Sequence, residues 1–296
     1  MKAFAAAAAT LMASLVSANP VPAGEDVHAY SDNDYACRST THPNPVVMLH
    51  ALGGNKDFDL GLLAAWLRAQ DYCTFSLTYG NAPGSVIGGL DSINKSAPVI
   101  GRFIKQVANR TGSARVDVVG HSEGGLLALY VSKFEAGVAQ LVDNIVAVAP
   151  PTHGTSLSGL WTLVRRLGGR VSDRIEEVLR RFGCRACTDL VEGSALLARL
   201  SDGPIVQRNT TVTVIASKTD VLVTPPETAF VREPGVQNMF VQDVCPSDRV
   251  GHFGLAVAPN VWHLVRNSLE RTMGRKFVCI NGIPLLKAAD VVALDE

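Results

Sequence analysis

The sequence predicts an α/β protein with a mostly parallel, doubly wound sheet. Segments of strand length alternate with segments of helix length from residue 45 to residue 149. The strand segments are continuously apolar, as expected for strands that helices cover on both faces. The chain has 296 residues, of which 47% are hydrophobic and 18% charged. This balance suits one large domain with an extensive core, which we expect over residues 19–296.

Each predicted element rests on a local pattern. Val46, Val47, Met48 and Leu49 form an uninterrupted apolar run before a Gly-rich loop, and the segment that follows the loop has helical periodicity. The predicted strands cover residues 45–50, 72–77, 116–119, 142–149, 211–216 and 240–241. The predicted helices cover residues 58–69, 92–107, 126–134 and 259–269.

The alternation stops at Pro150, and residues 151–210 carry helical patterns over 160–167, 171–182 and 188–200. This segment has two interpretations. It is either an ordinary crossover of several helices or a cap over a functional site. We favour a helical cap, whose apolar face towards a substrate would be formed by Leu160, Trp161 and Leu163.

The first 18 residues predict a signal peptide. Lys2 is the basic residue, an apolar stretch follows, and Val16-Ser17-Ala18 is a small-residue cleavage pattern. The stretch is short and Ala-rich, which disfavours a transmembrane anchor. We therefore expect a secreted protein without an integral membrane anchor. The 27 basic residues balance the 27 acidic ones, which argues against nucleic acid as a partner.

Six cysteines in a secreted chain predict three disulfides, which can connect in 15 ways. Neighbour pairing is favoured, and it joins Cys37 with Cys73, Cys184 with Cys187, and Cys245 with Cys279. The Cys-x-x-Cys pair lacks a second Cys or His pair at ligand spacing, so we expect no metal site. Glycosylation sequons begin at Asn94, Asn109 and Asn209.

Residues 116–125 form the centre of the functional prediction. A β-branched run leads into Gly120-His121-Ser122-Glu123-Gly124, and a Leu- and Ala-rich helical pattern follows. A strand, a sharp turn and a helix around G-x-S-x-G are typical of the nucleophile elbow of α/β-hydrolases. The glycines are expected because a Cβ there would collide with the neighbouring strand and helix. Ser122 is therefore the candidate nucleophile.

A serine nucleophile needs a base and an acid that orients the base. Asp220 lies just past the predicted strand over 211–216, where catalytic groups of open α/β sheets emerge, although aspartate is also a common turn former. His252 lies later, in a Gly-flanked loop, which completes the order Ser, Asp, His. Among the other histidines, we expect His121 to point elsewhere, whereas His153 is a candidate to line the cleft.

An oxyanion hole requires two backbone N–H groups beside the nucleophile. We expect one from Glu123, which follows the serine, and one from Leu52, in the Gly-rich loop after the first strand. The side chain of Glu123 is expected to face away from the developing charge.

Five motifs resemble one known family. They are 47–54 (VMLHALGG), 120–125 (GHSEGG), 151–155 (PTHGT), 217–225 (SKTDVLVTP) and 251–255 (GHFGL). Together they are similar to secreted bacterial class 2 triacylglycerol lipases and their fungal relatives. The resemblance implies an α/β-hydrolase fold, a triad of Ser122, Asp220 and His252, and oxyanion donors at Leu52 and Glu123.

Ala51 departs from the commoner glycine, which bears on the width of the acyl channel. Val223, within the fourth motif, joins the cap residues in the predicted substrate pocket.

The expected function is ester hydrolysis through an acyl-enzyme, without a cofactor and by a monomer. Triacylglycerols, met at an oil–water interface, are the first choice of substrate. Short-chain esters and polyesters are the alternatives within this class. An inactive hydrolase scaffold that serves as a binding module is the alternative from another class.

Overall fold

The computed structural model describes residues 31–156 and 183–280. Within these ranges the chain forms a six-stranded sheet in which every neighbouring pair of strands is parallel. The strands are β1 (Val46–Leu49), β2 (Thr74–Ser76), β3 (Val116–His121), β4 (Val142–Val148), β5 (Thr211–Ala216) and β6 (Gln237–Phe240). Their order across the sheet is β2-β1-β3-β4-β5-β6. β2 therefore lies on one side of β1, and the later strands lie on the other side.

The helices alternate with these strands, as predicted. They are α1 (Gly61–Arg68), α2 (Ile93–Thr111), α3 (Glu123–Phe134), α4 (Ala186–Asp189), α5 (Ala195–Leu200), α6 (Val241–Val244) and α7 (Pro259–Leu269). Two 3-10 helices cover Pro226–Ala229 and His252–Ala256. None of the helices in the described ranges has the length and apolar character needed to cross a membrane.

Helices cover both faces of the sheet, which explains why its strands are continuously apolar. Val47 and Leu49 of β1 belong to the hydrophobic cluster that includes the buried faces of α2 and α3. Val46 and Met48 point the other way, into the cluster formed with α1 and α7. A doubly wound, parallel sheet is therefore confirmed.

Two predicted elements are wrong in their extent. The helix expected over 188–200 is split, because Gly193 adopts a φ of 80° and the Ser194 side chain accepts a hydrogen bond from Leu197 N–H to begin α5. The predicted strand over 240–241 ends instead at Phe240, whose N–H donates to Asp243 Oδ2 at 2.9 Å as α6 begins.

All three neighbour disulfides are formed. Cys37–Cys73 ties the N-terminal lead-in to the start of β2, Cys245–Cys279 joins the end of α6 to the chain after α7, and Cys184–Cys187 closes a small loop at α4. The asparagines of the three sequons, at 94, 109 and 209, are exposed. Their glycosylation stays a prediction.

Several predictions lie outside the described residues. These are the signal peptide over 1–18 and the proposed substrate face formed by Leu160, Trp161 and Leu163. The expected cap over 151–210 is described only at its two ends. At its start, Ser156 N–H donates to Thr224 O at 3.0 Å, and at its other end Arg185 N–H donates to Leu90 O at 2.8 Å.

Candidate active site

Three candidate catalytic residues follow strands at the same edge of the sheet. Ser122 comes directly after β3, Asp220 lies past the end of β5, and His252 follows β6 and α6. Because the strands are parallel, their carboxyl ends meet at this edge, and residues far apart in the chain come together there.

Ser122 lies on a strained turn. Its φ of 54° and ψ of −120° are sparsely populated for a residue with a Cβ. Its N–H donates to Val148 O at 2.7 Å, which fixes the turn to β4. A Cβ at Gly120 would collide with the backbone of Gly124, and a Cβ at Gly124 would collide with the carbonyl of Leu49. The two glycines therefore let the turn fold back between strand and helix, as the sequence pattern predicts.

The three side chains form a continuous chain of hydrogen bonds. Ser122 Oγ lies 2.8 Å from His252 Nε2, and His252 Nδ1 lies 2.7 Å from Asp220 Oδ2. The other carboxylate oxygen of Asp220 accepts hydrogen bonds from the N–H groups of Leu222 and Val223, at 2.8 and 3.0 Å. Asp220 is thus held as an acceptor. This arrangement allows His252 to take a proton from Ser122 while Asp220 fixes the orientation of the ring.

The two predicted oxyanion donors are near Ser122 in different ways: Leu52 lines the same cavity, and Glu123 directly follows Ser122 in the chain. Within the described ranges, neither the N–H of Leu52 nor that of Glu123 donates to an acceptor. The loop that carries Leu52 is held by Gly53 N–H, which donates to Gly88 O at 3.0 Å, and by Gly88 N–H, which donates to Gly54 O at 2.8 Å. An oxyanion requires N–H groups that are fixed in position and have no other acceptor. The N–H of Leu52, on a loop held by hydrogen bonds, and that of Glu123, at a helix N-terminus, are of this kind.

A cavity of about 350 Å³ opens beside Ser122, and most of its wall is apolar. Phe58 and Phe253 also line it, and their exposed fractions are 84% and 77%, so both lie at its mouth. Its lining includes Ala51, Leu52, Pro151, Cys187, Leu190, Val191, Leu222 and Val223. Val223 therefore lies where the sequence placed it.

Glu123 is completely buried and does not line the cavity, in line with the expected direction of its side chain. Neither carboxyl oxygen has a hydrogen-bond partner within the described residues. Burial raises the pKa of this carboxyl well above its usual range, and the charge of Asp189 adds to the rise. Burial therefore favours the protonated, neutral form of this carboxyl.

His121 was expected to point elsewhere, and this expectation is wrong. Its ring lines the cavity and is 1% exposed. Nδ1 lies 3.0 Å from Asp59 Oδ1, and Nε2 lies 3.1 Å from the carbonyl oxygen of His252. Asp59 was missed altogether. One sequence feature pointed to Asp59, namely its position after β1. Because β1 and β3 are neighbours, their carboxyl ends lie at the same edge of the sheet.

His153 was a candidate to line the cleft, but it is exposed and contacts Thr228 O at 3.0 Å instead. It is not among the residues that line the cavity. Within residues 31–156 and 183–280, no group of three or more His, Cys, Asp or Glu side chains is arranged to hold a metal ion.

A protein-family model described as Lipase (class 2) matches residues 43–252 of this chain, a span that includes Ser122, Asp220 and His252. The chain belongs to the class 2 lipase family. The resemblance predicted from the five motifs is thereby confirmed.

Curated relatives are triacylglycerol lipases from Pseudarthrobacter phenanthrenivorans and Burkholderia plantarii. Each is 29% identical over 115 residues, which are 38% of this chain. The aligned part covers 35% of the first relative and 31% of the second, so the match spans about a third of their length.

Solved lipase structures share the fold. Lipase B of Aspergillus fumigatus superimposes with a TM-score of 0.62 at 17% identity, covering 93% of this chain and 67% of that one. The mature form of Bacillus licheniformis lipase BlEst2 gives a TM-score of 0.54 at 14% identity, covering 84% and 99%. With the parallel sheet and the elbow turn, this likeness identifies the α/β-hydrolase fold of the class 2 lipases.

Proposed function

We propose that this lipase-family chain is a serine hydrolase of carboxylic esters that works through an acyl-enzyme. The observation that carries the proposal is the chain of hydrogen bonds from Asp220 through His252 to Ser122, which ends at an apolar cavity.

In the proposed reaction, His252 Nε2 takes the proton of Ser122 Oγ as that oxygen attacks the ester carbonyl carbon. The carbonyl oxygen becomes an oxyanion, and the N–H groups of Leu52 and Glu123 donate to it. The intermediate collapses as the C–O bond to the alcohol breaks, and the alcohol leaves with the proton from His252. A water molecule then attacks the acyl-enzyme by the same route, and the free acid departs.

Esters of long-chain acids, with triacylglycerols first, are the proposed substrates. The wall of the cavity is suited to an alkyl chain, because it offers mainly hydrocarbon and few polar groups. Phe58 and Phe253 at the mouth add exposed apolar surface that suits contact with an oil–water interface. The triacylglycerol lipase names of the relatives agree with this choice. Short-chain esters and polyesters remain the competing substrates.

We further propose that the chain acts as a secreted monomer. Three disulfides support an oxidising compartment, because such bonds are rare in cytosolic proteins.

Labelling with a fluorophosphonate tests the mechanism. We expect one equivalent of covalent adduct on Ser122 and no adduct in the Ser122→Ala variant, with folding of both checked by circular dichroism. A folded wild-type chain that hydrolyses no ester and takes no label would be a binding module instead.

A chain-length series tests the substrate. We expect turnover of p-nitrophenyl oleate or of emulsified triolein to exceed turnover of the butyrate ester. A strict preference for soluble butyrate would contradict the lipase proposal and leave the esterase mechanism intact.

A further inference from the structure

A second His–Asp pair lies beside the proposed triad. His121 is the last residue of β3, directly before Ser122, and Asp59 precedes α1. Nδ1 of His121 lies 3.0 and 3.2 Å from the two oxygens of the Asp59 carboxylate. The side chains are 1% and 12% exposed, so this ion pair is shielded from solvent. The proposed chemistry gives neither residue a role.

Within the described residues, the side chain of each member of the pair makes one further hydrogen bond, and both bonds reach the proposed machinery. Asp59 Oδ2 accepts a hydrogen bond at 2.7 Å from the N–H of Ala51, the residue before the oxyanion donor Leu52. Nε2 of His121 lies 3.1 Å from the carbonyl oxygen of His252. The pair thus connects the loop after β1 to the segment that carries the proposed base.

The partners define the protonation of the ring. A carbonyl oxygen can only accept a hydrogen bond, and an ionised carboxylate can only accept as well. With Asp59 ionised, both ring nitrogens of His121 therefore carry protons, which makes the ring an imidazolium.

The electrostatic surroundings agree with this assignment. Burial alone would lower the pKa of His121, but the charge and hydrogen bond of Asp59, the His252 carbonyl and the charge of Asp220 outweigh it and raise the pKa. Burial alone would raise the pKa of Asp59, but the charge and hydrogen bond of His121, the Ala51 N–H and the charge of His50 lower it. The ring of His252 also faces His121, with centroids 5.1 Å apart.

We infer that the ion pair of His121 and Asp59 positions the oxyanion loop and the His252 segment relative to Ser122. This inference rests on the proposed function, and it makes both residues positioning residues. The loop around Leu52 and the turn before His252 lie outside the strands, whereas β3 lies between two neighbouring strands of the sheet. A misplacement of a reacting group by about 1 Å can lower the reaction rate about 100-fold. An ion pair that links β3 to both segments would therefore affect the rate by keeping them in position.

Two substitutions at Asp59 separate the charge from the hydrogen bonds. Asp59→Ala removes the acceptor for Ala51 N–H and the charge beside His121, so we expect kcat to fall about 10- to 100-fold. Asp59→Asn keeps an oxygen that can accept from Ala51 N–H. Its amide can donate to Nδ1 of a neutral ring, whose Nε2–H still donates to His252 O. We therefore expect less than a tenfold loss at neutral pH in that variant.

The pH profile distinguishes positioning from a purely structural role. Because the native pKa of His121 is raised, the pair persists below that value and is lost as pH rises through it. The wild type should therefore lose kcat as pH rises through the raised pKa of His121, at pH values where circular dichroism still shows a folded chain. In Asp59→Asn this alkaline limb should be absent, since the ring is already neutral.

Asp32→Asn is the matched control, because Asp32 is also a partly buried carboxylate. It accepts from Thr74 Oγ1 at 3.0 Å and Ser76 Oγ at 3.3 Å, at the edge strand β2. We expect a lower Tm and an unchanged kcat. A folded Asp59→Ala variant with wild-type kcat, or an alkaline limb that persists in Asp59→Asn, would overturn the inference.

A measurement without turnover keeps this test separate from the proposed function. In chains labelled with 15N-histidine, NMR should show two protonated nitrogens on His121 at pH 7 in the wild type and one in Asp59→Asn. The Nδ1–H resonance of His252 should move in Asp59→Ala and stay in the Asp32→Asn control. A neutral His121 in the wild type, or an unmoved His252 resonance, would refute the positioning role even if the wild type hydrolyses no ester.

Discussion

Two His–Asp pairs lie within one site, and they differ in what the imidazole faces. In the pair of His252 and Asp220, the second ring nitrogen faces a serine hydroxyl, which can give up a proton. In the pair of His121 and Asp59, it faces a backbone carbonyl, which cannot. The first ring can therefore accept a proton during a reaction, whereas the second is held as a permanent donor. The group on the far side of the ring, more than the Asp–His contact, decides the chemistry.

The largest expected difference in kcat is between replacements of the two histidines. Replacing the proposed base, as His252→Ala, should lower kcat by about 10⁶-fold, as expected when one member of a triad is removed. His121→Gln, which keeps a donor towards His252, should lower kcat less than 100-fold. Steady-state kinetics on p-nitrophenyl butyrate measures both, and equal losses would mean that the two pairs do not differ in role.

The second largest difference in kcat is expected between replacements of the two aspartates. Asp220→Asn should lower kcat by about 10⁴-fold, because the amide favours the wrong tautomer of His252. The same change at Asp59 should cost less than tenfold at neutral pH. Circular dichroism of each variant checks that the difference is one of rate per folded molecule, and a large loss at both positions would contradict this ranking.

The smallest expected effect concerns Glu123, a third buried acid that has no histidine beside it. Replacement by methionine, as Glu123→Met, removes a carboxyl that has no hydrogen-bond partner among residues 31–156 and 183–280, and should raise the free energy of unfolding by about 1 kcal/mol or more. The raised pKa makes the native chain bind a proton that the unfolded chain releases, so wild-type stability falls as pH rises from the usual glutamate pKa through the raised value.

The gain from Glu123→Met should therefore be larger at pH 8 than at pH 5, as measured by urea unfolding. Glu123→Gln is the control, because it removes the titration but leaves a polar group buried. A methionine variant that is less stable than wild type at both pH values would mean that the carboxyl has a partner.

Sequence reasoning could bring Ser122, Asp220 and His252 to one edge of the sheet because that edge depends on position along the chain. The order of Ser122, Asp220 and His252 and the edge at which parallel strands end are properties of the pattern. The structure joins these three side chains by hydrogen bonds, while their catalytic roles and the oxyanion roles of Leu52 and Glu123 stay proposals.

The pairing of His121 with Asp59 could not be predicted in this way. The x position of G-x-S-x-G carries no information about which side chain approaches it from a neighbouring loop. The split between α4 and α5 was missed for a related reason. The apolar spacing over 188–200 continues through Gly193, and only the turn at that glycine and the Thr155–Val191 bridge break the helix.

The turn that holds Asp220 also has a consequence for engineering. One oxygen of Asp220 is fixed by the N–H groups of Leu222 and Val223, and both side chains form part of the cavity wall. We expect selectivity and turnover to be coupled at these two positions, because the residues whose side chains line the cavity also carry the N–H groups that hold Asp220. Leu190 and Val191 also line the cavity, and within the described residues no hydrogen bond joins either of them to Ser122, Asp220 or His252. Libraries for altered chain-length preference therefore belong at these two positions.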